Sequence, residues 1–233
     1  RGLAHLMSRE IDLAIEDFAI VEEGWPEAVE PTLLKGHAYV LRGRRDIAEV
    51  AFERLYDRAL CKDAVALRIA GTSISAASPE AALGWAAKVR ADLPRDLAQF
   101  AIFCAFPPWS RAVEAGERIL QRNPANARVR SILAWPLQEV CRYRDAMEQC
   151  REALRLEPNL LWTRLHLGEA LASKGDIAEA EKLFEEEMTL QPRNPWVPAL
   201  AGFALIQAMA LEDGMGLCRR ALAANGMMVQ WIG

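Results

Sequence analysis

The stretch Leu161–Pro192, LWTRLHLGEALASKGDIAEAEKLFEEEMTLQP, decides the fold. Leu167, Gly168 and Leu171 recur at helical spacing, and so do Ala180, Phe184 and Glu187 further on. Between the two runs stands a short polar turn, Ser173-Lys174-Gly175-Asp176. Pro192 closes the stretch, because proline lacks an N–H and disfavours helix in the residue before it. The stretch therefore predicts two helices joined by a tight turn. Upstream, Pro124, Pro158 and Pro192 are evenly spaced (158 − 124 = 34; 192 − 158 = 34). Each ends a similar phrase: Ile119-Leu-Gln-Arg-Asn-Pro124, Leu154-Arg-Leu-Glu-Pro158 and Met188-Thr-Leu-Gln-Pro192.

A helix–turn–helix unit repeating at that interval, with a small residue at the helix crossing and Ala in the second helix, resembles the tetratricopeptide repeat. Gly168, Ala180, Phe184 and Pro192 fit the family's pattern, whereas Arg164, Leu171 and Glu187 depart from it. The phase extends in both directions. Leu133, Ala134, Leu137, Ala146, Cys150, Ala153 and Pro158 match one unit, and Ala201, Gly202, Leu205, Gly214, Cys218 and Ala221 another. Gly36, Tyr39, Ala48 and Phe52, then Ile69, Ala70, Ala82 and Ala86, keep the phase upstream. The repeats are expected at 29–60, 63–94, 94–124, 127–158, 161–192 and 195–226. A truncated one (1–26) precedes them, and the start of a further helix (227–233) follows. The unit ending at Pro124 is shorter (124 − 94 = 30), with Pro107-Pro108 compressing its internal turn. The resemblance implies an all-α fold, one right-handed superhelical solenoid of antiparallel helix pairs. Solenoids normally end in polar capping repeats. Neither end reads as one, and residue 1 is Arg, which together predict the repeat region of a longer protein.

Composition agrees with this and excludes several classes. The chain has 233 residues, 52% hydrophobic, 7% aromatic and 26% charged, too apolar for a disordered segment. Twenty-eight Lys and Arg against 32 Asp and Glu give a net charge of −4, which argues against nucleic acid as the partner. The longest nearly apolar run, Ala199–Leu211, falls well short of the roughly 20 residues a bilayer span needs, so no membrane insertion is expected. Cys61, Cys104, Cys141, Cys150 and Cys218 form no CxxC pair. They read as free thiols of a reducing compartment such as the cytoplasm, with the periplasm left open.

The resemblance also implies where a partner binds. In the family the first helices line a concave groove, through their second, fifth, ninth and twelfth positions, and a peptide or partner helix lies in it. In this sequence those positions give Leu33, His37 and Val40; Leu67; Arg95 and Ile102; Arg128, Trp135 and Gln138; Trp162, Leu165 and Glu169; and Trp196, Phe203 and Ile206. The set is largely apolar. It carries three of the seven tryptophans but no Lys and Asn clamp for a carboxylate, and Arg95 and Arg128 are its only cations. An apolar or amphipathic segment is the expected ligand, anchored by Trp162, Trp196 and Phe203. Aromatics at this spacing also serve as inter-repeat core or as a self-association surface. Pro136, inside a first helix, predicts a bend there that turns Trp135 towards the groove.

No catalytic or cofactor motif stands beside these positions. His5, His37 and His166 fall in different repeats without zinc spacing. No GxGxxG, GxxxxGK[ST] or GxSxG occurs. The expectation is a non-enzymatic protein-binding scaffold with no cofactor and no metal. The alternative is a regulatory or substrate-presenting arm of an enzyme of glycosyltransferase, sulfotransferase or cyclase type, or of a regulator, whose other domain lies outside this sequence. Trp231 and Ile232, in the uncapped last segment, are candidates for a homo-oligomer contact.

Overall fold

A computed structural model describes residues 1–75 and 77–224; the segment carrying Trp231 and Ile232 lies outside the described residues. The described residues form fourteen α-helices and no strand. Contacts divide the chain into two compact units, Arg1–Phe106 and Pro107–Gly233. The first holds α1 (Gly2–Met7), α2 (Ile11–Gly24), α3 (Val29–Leu41), α4 (Arg45–Arg58), α5 (Lys62–Ser75), α6 (Pro79–Ala87) and α7 (Asp92–Ala105). The second holds α8 (Ser110–Arg122), α9 (Ala127–Glu139), α10 (Tyr143–Leu156), α11 (Thr163–Lys174), α12 (Ile177–Leu190), α13 (Trp196–Gln207) and α14 (Leu211–Ala224).

The turns within helix pairs share one backbone device. Arg9, Gly43, Ala77, Cys141, Gly175 and Met209 all have positive φ. Apart from the step over the α7–α8 turn, they follow one another at a single interval (43 − 9 = 77 − 43 = 175 − 141 = 209 − 175 = 34). Each closes the preceding helix with the same two bonds. At Gly175, its N–H donates to the Ala172 carbonyl (2.9 Å) and that of Asp176 to the Leu171 carbonyl (3.0 Å). The equivalents at Cys141 are Cys141 to Gln138 and Arg142 to Leu137, both 2.8 Å. This left-handed closure satisfies the orphan carbonyls of the last helical turn. The α7–α8 turn carries Pro107-Pro108 instead, and the boundary between the two units falls there.

Where the helices of a pair cross, a small residue meets a large one sixteen positions on (52 − 36, 184 − 168, 18 − 2). Gly36 lies against the Phe52 ring, Gly168 against Phe184 and Gly2 against Phe18. In the last pair Gly202 lies against the backbone of Gly214 and Cys218, so α13 and α14 approach most closely there. The core of the first unit gathers Phe52, Leu55, Ile69, Trp85 and Ile102, with Phe52 edge-on to Trp85 at 6.4 Å between centroids. That of the second unit buries Leu133, Leu137, Leu165, Leu171, Phe184 and Leu205. Pro136 is buried within α9, which continues through it to Glu139. Trp135 beside it stands edge-on to Trp109 at 5.8 Å.

Candidate functional site

In the second unit three first helices, α9, α11 and α13, line a recess of about 390 Å³. Trp135 and Gln138 come from α9, Glu169 and Ser173 from α11, Leu200 and Phe203 from α13. Glu139, Cys141 and Tyr143 close one end, where the left-handed turn at Cys141 redirects the chain into α10. The spacing of helical residues explains the grouping. The ninth positions Trp135, Glu169 and Phe203 repeat in step (169 − 135 = 203 − 169 = 34), so equivalent points of successive helices fall side by side. Phe203 is 57% exposed, Leu200 37% and Trp196 44%, which gives α13 an open apolar stripe at i, i+4 and i+7. Helix α13 contains no charged residue.

Polar groups order the other wall. Glu169 Oε2 lies 3.2 Å from His166 Nδ1, and Gln138 Nε2 donates to the His166 carbonyl at 3.3 Å. The Tyr143 phenol is held above its usual range, first by burial and then by Cys141 and Glu139. The recess thus combines aromatic and aliphatic side chains with two carboxylates.

The first unit has an apolar counterpart of about 420 Å³, lined by Leu67, Gly71 and Ile74 of α5 and by Leu93, Leu97 and Ala101 of α7. No charged side chain lines it.

Of the residues expected at the groove, Trp135, Gln138, Glu169 and Phe203 are brought together in the recess of the second unit. Leu67 lines the recess of the first. Leu33, Ile102 and Leu165 are instead core residues, at most 4% exposed, and offer no surface to a partner. Leu33 and Leu165 hold the fifth position of their helices, which faces the neighbouring helices. Ile102 fails for a different reason: α7 is turned by one residue, so Ala101 takes the accessible place and Ile102 joins the core. Val40 packs partly buried against that core. His37 is half-buried, and burial lowers its pKa against the opposing effect of a backbone bond to Thr72. Arg95 pairs with Asp92 and Arg128 is exposed on α9. Ile206 lies against Gly214 of α14.

The two remaining tryptophans stand apart from the recess lining. Trp162 precedes α11 in the left-handed region (φ 71°), and its N–H donates to the buried Glu187 Oε1 at 2.6 Å. Gln191 Nε2 donates to the same oxygen at 2.6 Å, Asn194 Nδ2 to Gln191 Oε1 at 2.9 Å, and the Trp196 N–H to Asn194 Oδ1 at 3.1 Å. Glu187 breaks the family's preference for Ala because its carboxylate closes this chain of bonds. Among the recess residues outside the expected set, Glu139, Leu200 and Tyr143 lie one, three and five positions from its nearest member (139 − 138, 203 − 200, 143 − 138), and only their shared neighbourhood identifies them.

No family model and no curated protein sequence matches the chain. Solved structures do. TTC0263, a thermophilic TPR protein of Thermus thermophilus, superposes with a TM-score of 0.58 at 18% identity, over 77% of this chain and 100% of that one. MamA superposes with a TM-score of 0.54 at 14% identity, over 70% of this chain and 98% of that one. Its MSR-1 form reaches 0.52 at 19% identity, over 72% and 99%. The fold is that of a tetratricopeptide-repeat protein. At these identities the likeness is one of fold. For a tetratricopeptide fold, a recess between first helices lies on the face that the resemblance assigns to a partner. Among the described residues, no helix is long and apolar enough to cross a membrane. Nor could any group of three or more His, Cys, Asp or Glu among them hold a metal ion.

Proposed function

We propose that the chain is a protein-binding scaffold whose second unit holds an amphipathic segment of a partner protein across α9, α11 and α13. One observation carries the reading: Trp196, Leu200 and Phe203 present an exposed stripe on a charge-free helix, beside a recess that contains Trp135. Burying such aromatics in a partner's groove is the usual source of hot-spot energy, about 2 kcal/mol or more each. The role is binding rather than catalysis.

Selection of a random displayed peptide library on the whole protein, with F203A as the counter-selection target, tests this. Phe203 is more than half exposed, so the variant should melt within about 0.5 kcal/mol of the parent. Peptides that bind the parent and not F203A, with apolar residues at three- and four-residue spacing, are the expected yield. Enrichment of peptides insensitive to F203A, L200A and W135A alike would place the binding surface elsewhere.

A further inference from the structure

We propose that the recess of the second unit selects a cationic side chain, lysine or arginine, carried on an otherwise apolar segment of a protein partner. This rests on the binding reading above and adds the chemistry of the segment. The recess lining contains the carboxylates of Glu139 and Glu169 and no lysine or arginine. Glu139 is exposed and makes no hydrogen bond or ion pair with a described residue. Glu169 Oε2 lies 3.2 Å from His166 Nδ1, and its carboxylate is partly open to solvent.

A neutral or acidic segment seated there would cover the Glu139 carboxylate, and the second oxygen of Glu169, without supplying a donor, and covering an unpaired charge is costly. A lysine or arginine supplies the donor. The same head group is also attracted to the aromatic faces of Trp135 and Phe203, which line the same recess. The raised pKa of the Tyr143 phenol, due first to burial and then to Cys141 and Glu139, agrees with a recess that disfavours added negative charge. The chain provides its own contrast, since the recess between α5 and α7 is lined by apolar residues alone.

The test is fluorescence polarisation on the whole protein with three short labelled probes. Each is an amphipathic helix with leucine on one face and either lysine, glutamine or glutamate on the other. The lysine probe should bind roughly tenfold tighter than the glutamine probe, with the glutamate probe weakest. The double variant Glu139→Gln/Glu169→Gln should reduce lysine-probe binding to the glutamine level and leave the glutamine probe unchanged. A second double variant on exposed positions of α12, Glu179→Gln/Glu185→Gln, should keep the full preference. Equal binding of lysine and glutamine probes, with both still lost in F203A, overturns the charge selectivity and leaves the binding reading intact. Loss of the preference in the α12 variant also overturns it, as it reveals only the general pull of an acidic chain. Binding of all probes undiminished by F203A and W135A overturns the two together.

Discussion

Substituting Gly168 with alanine isolates the contact on which the helix pairs depend. A Cβ at position 168 would stand 2.4 Å from Phe184 Cε1 and 2.9 Å from both Cδ1 and Cζ. Carbon atoms rest at about 3.5–4.0 Å, so the ring or the helix must retreat by roughly 1 Å. Phe184 is fully buried, and no solvent-facing rotamer is open to it without loss of its packing. Overpacking of this kind costs about 1–3 kcal/mol. Alanine returns about 0.5–1 kcal/mol in helix propensity, which leaves a net loss centred on about 1 kcal/mol. Melting followed by circular dichroism should then fall by roughly 3–5 °C. Gly84 supplies the control. It too lies within a helix, but nothing approaches the Cβ position within 4 Å, so Gly84→Ala should stabilise by about 0.5–1 kcal/mol. The decisive measurement is the double variant Gly168→Ala/Phe184→Leu. If the ring causes the loss, the pair should be about 1 kcal/mol more stable than the sum of the single changes. Strict additivity, or a Gly168→Ala protein that melts at or above the parent, would refute the argument.

Three further outcomes follow from particular groups. Glu187→Ala should cost about 2–3 kcal/mol, because it strands the Trp162 N–H and the Gln191 amide, while Glu187→Gln keeps an acceptor for both and should cost clearly less in chemical denaturation. Burial lifts the Cys104 thiol from about 9 to about 12, so native labelling should modify exposed Cys61 and Cys141 at once and Cys104 only on unfolding. Because that folded pKa is raised, the associated stability is complete below pH 9 and is lost as pH climbs from 9 towards 12; a flat melting temperature across that window in the parent would contradict it. His37 is the opposite case. Burial lowers its pKa below 6.5, so its stability term is present above that value and falls away as the solution is acidified, and His37→Gln should lessen the loss of melting temperature between neutral pH and pH 5.5.

The fold was legible wherever a residue type is forced by geometry. The even spacing of the prolines and the Gly168–Phe184 crossing are visible in the sequence because only a small residue fits beneath that ring and only a helix stop suits the end of each pair. The left-handed turns were half legible. Gly43 and Gly175 announce themselves, but Arg9, Ala77, Cys141 and Met209 adopt the same conformation without glycine, and only their register reveals it. At the recess, the ninth positions Trp135, Glu169 and Phe203 were readable from phase alone. The fifth positions Leu33 and Leu165 were not, because whether a neighbouring helix covers them depends on packing that no single helix records. Ile102 was misplaced by the one-residue turn of α7, and the bond from the Trp162 backbone N–H to Glu187, a residue 25 positions on, is not visible in the sequence.

The same backbone position can therefore carry different chemistry from one unit to the next at little structural expense. His166 and Glu169 on α11 become Leu200 and Phe203 on α13 at the equivalent points (200 − 166 = 203 − 169 = 34). Glu169, Leu200 and Phe203 line the recess, where a side chain can change without stranding a buried donor or opening a cavity. Gly168 and Gly202 cannot change in the same way, because each is closed in by atoms of the following helix. The repeat thus separates two kinds of position. Those at the crossing and the turn hold the helices together, and those at the ninth place of the first helix, Trp135, Glu169 and Phe203, line the recess.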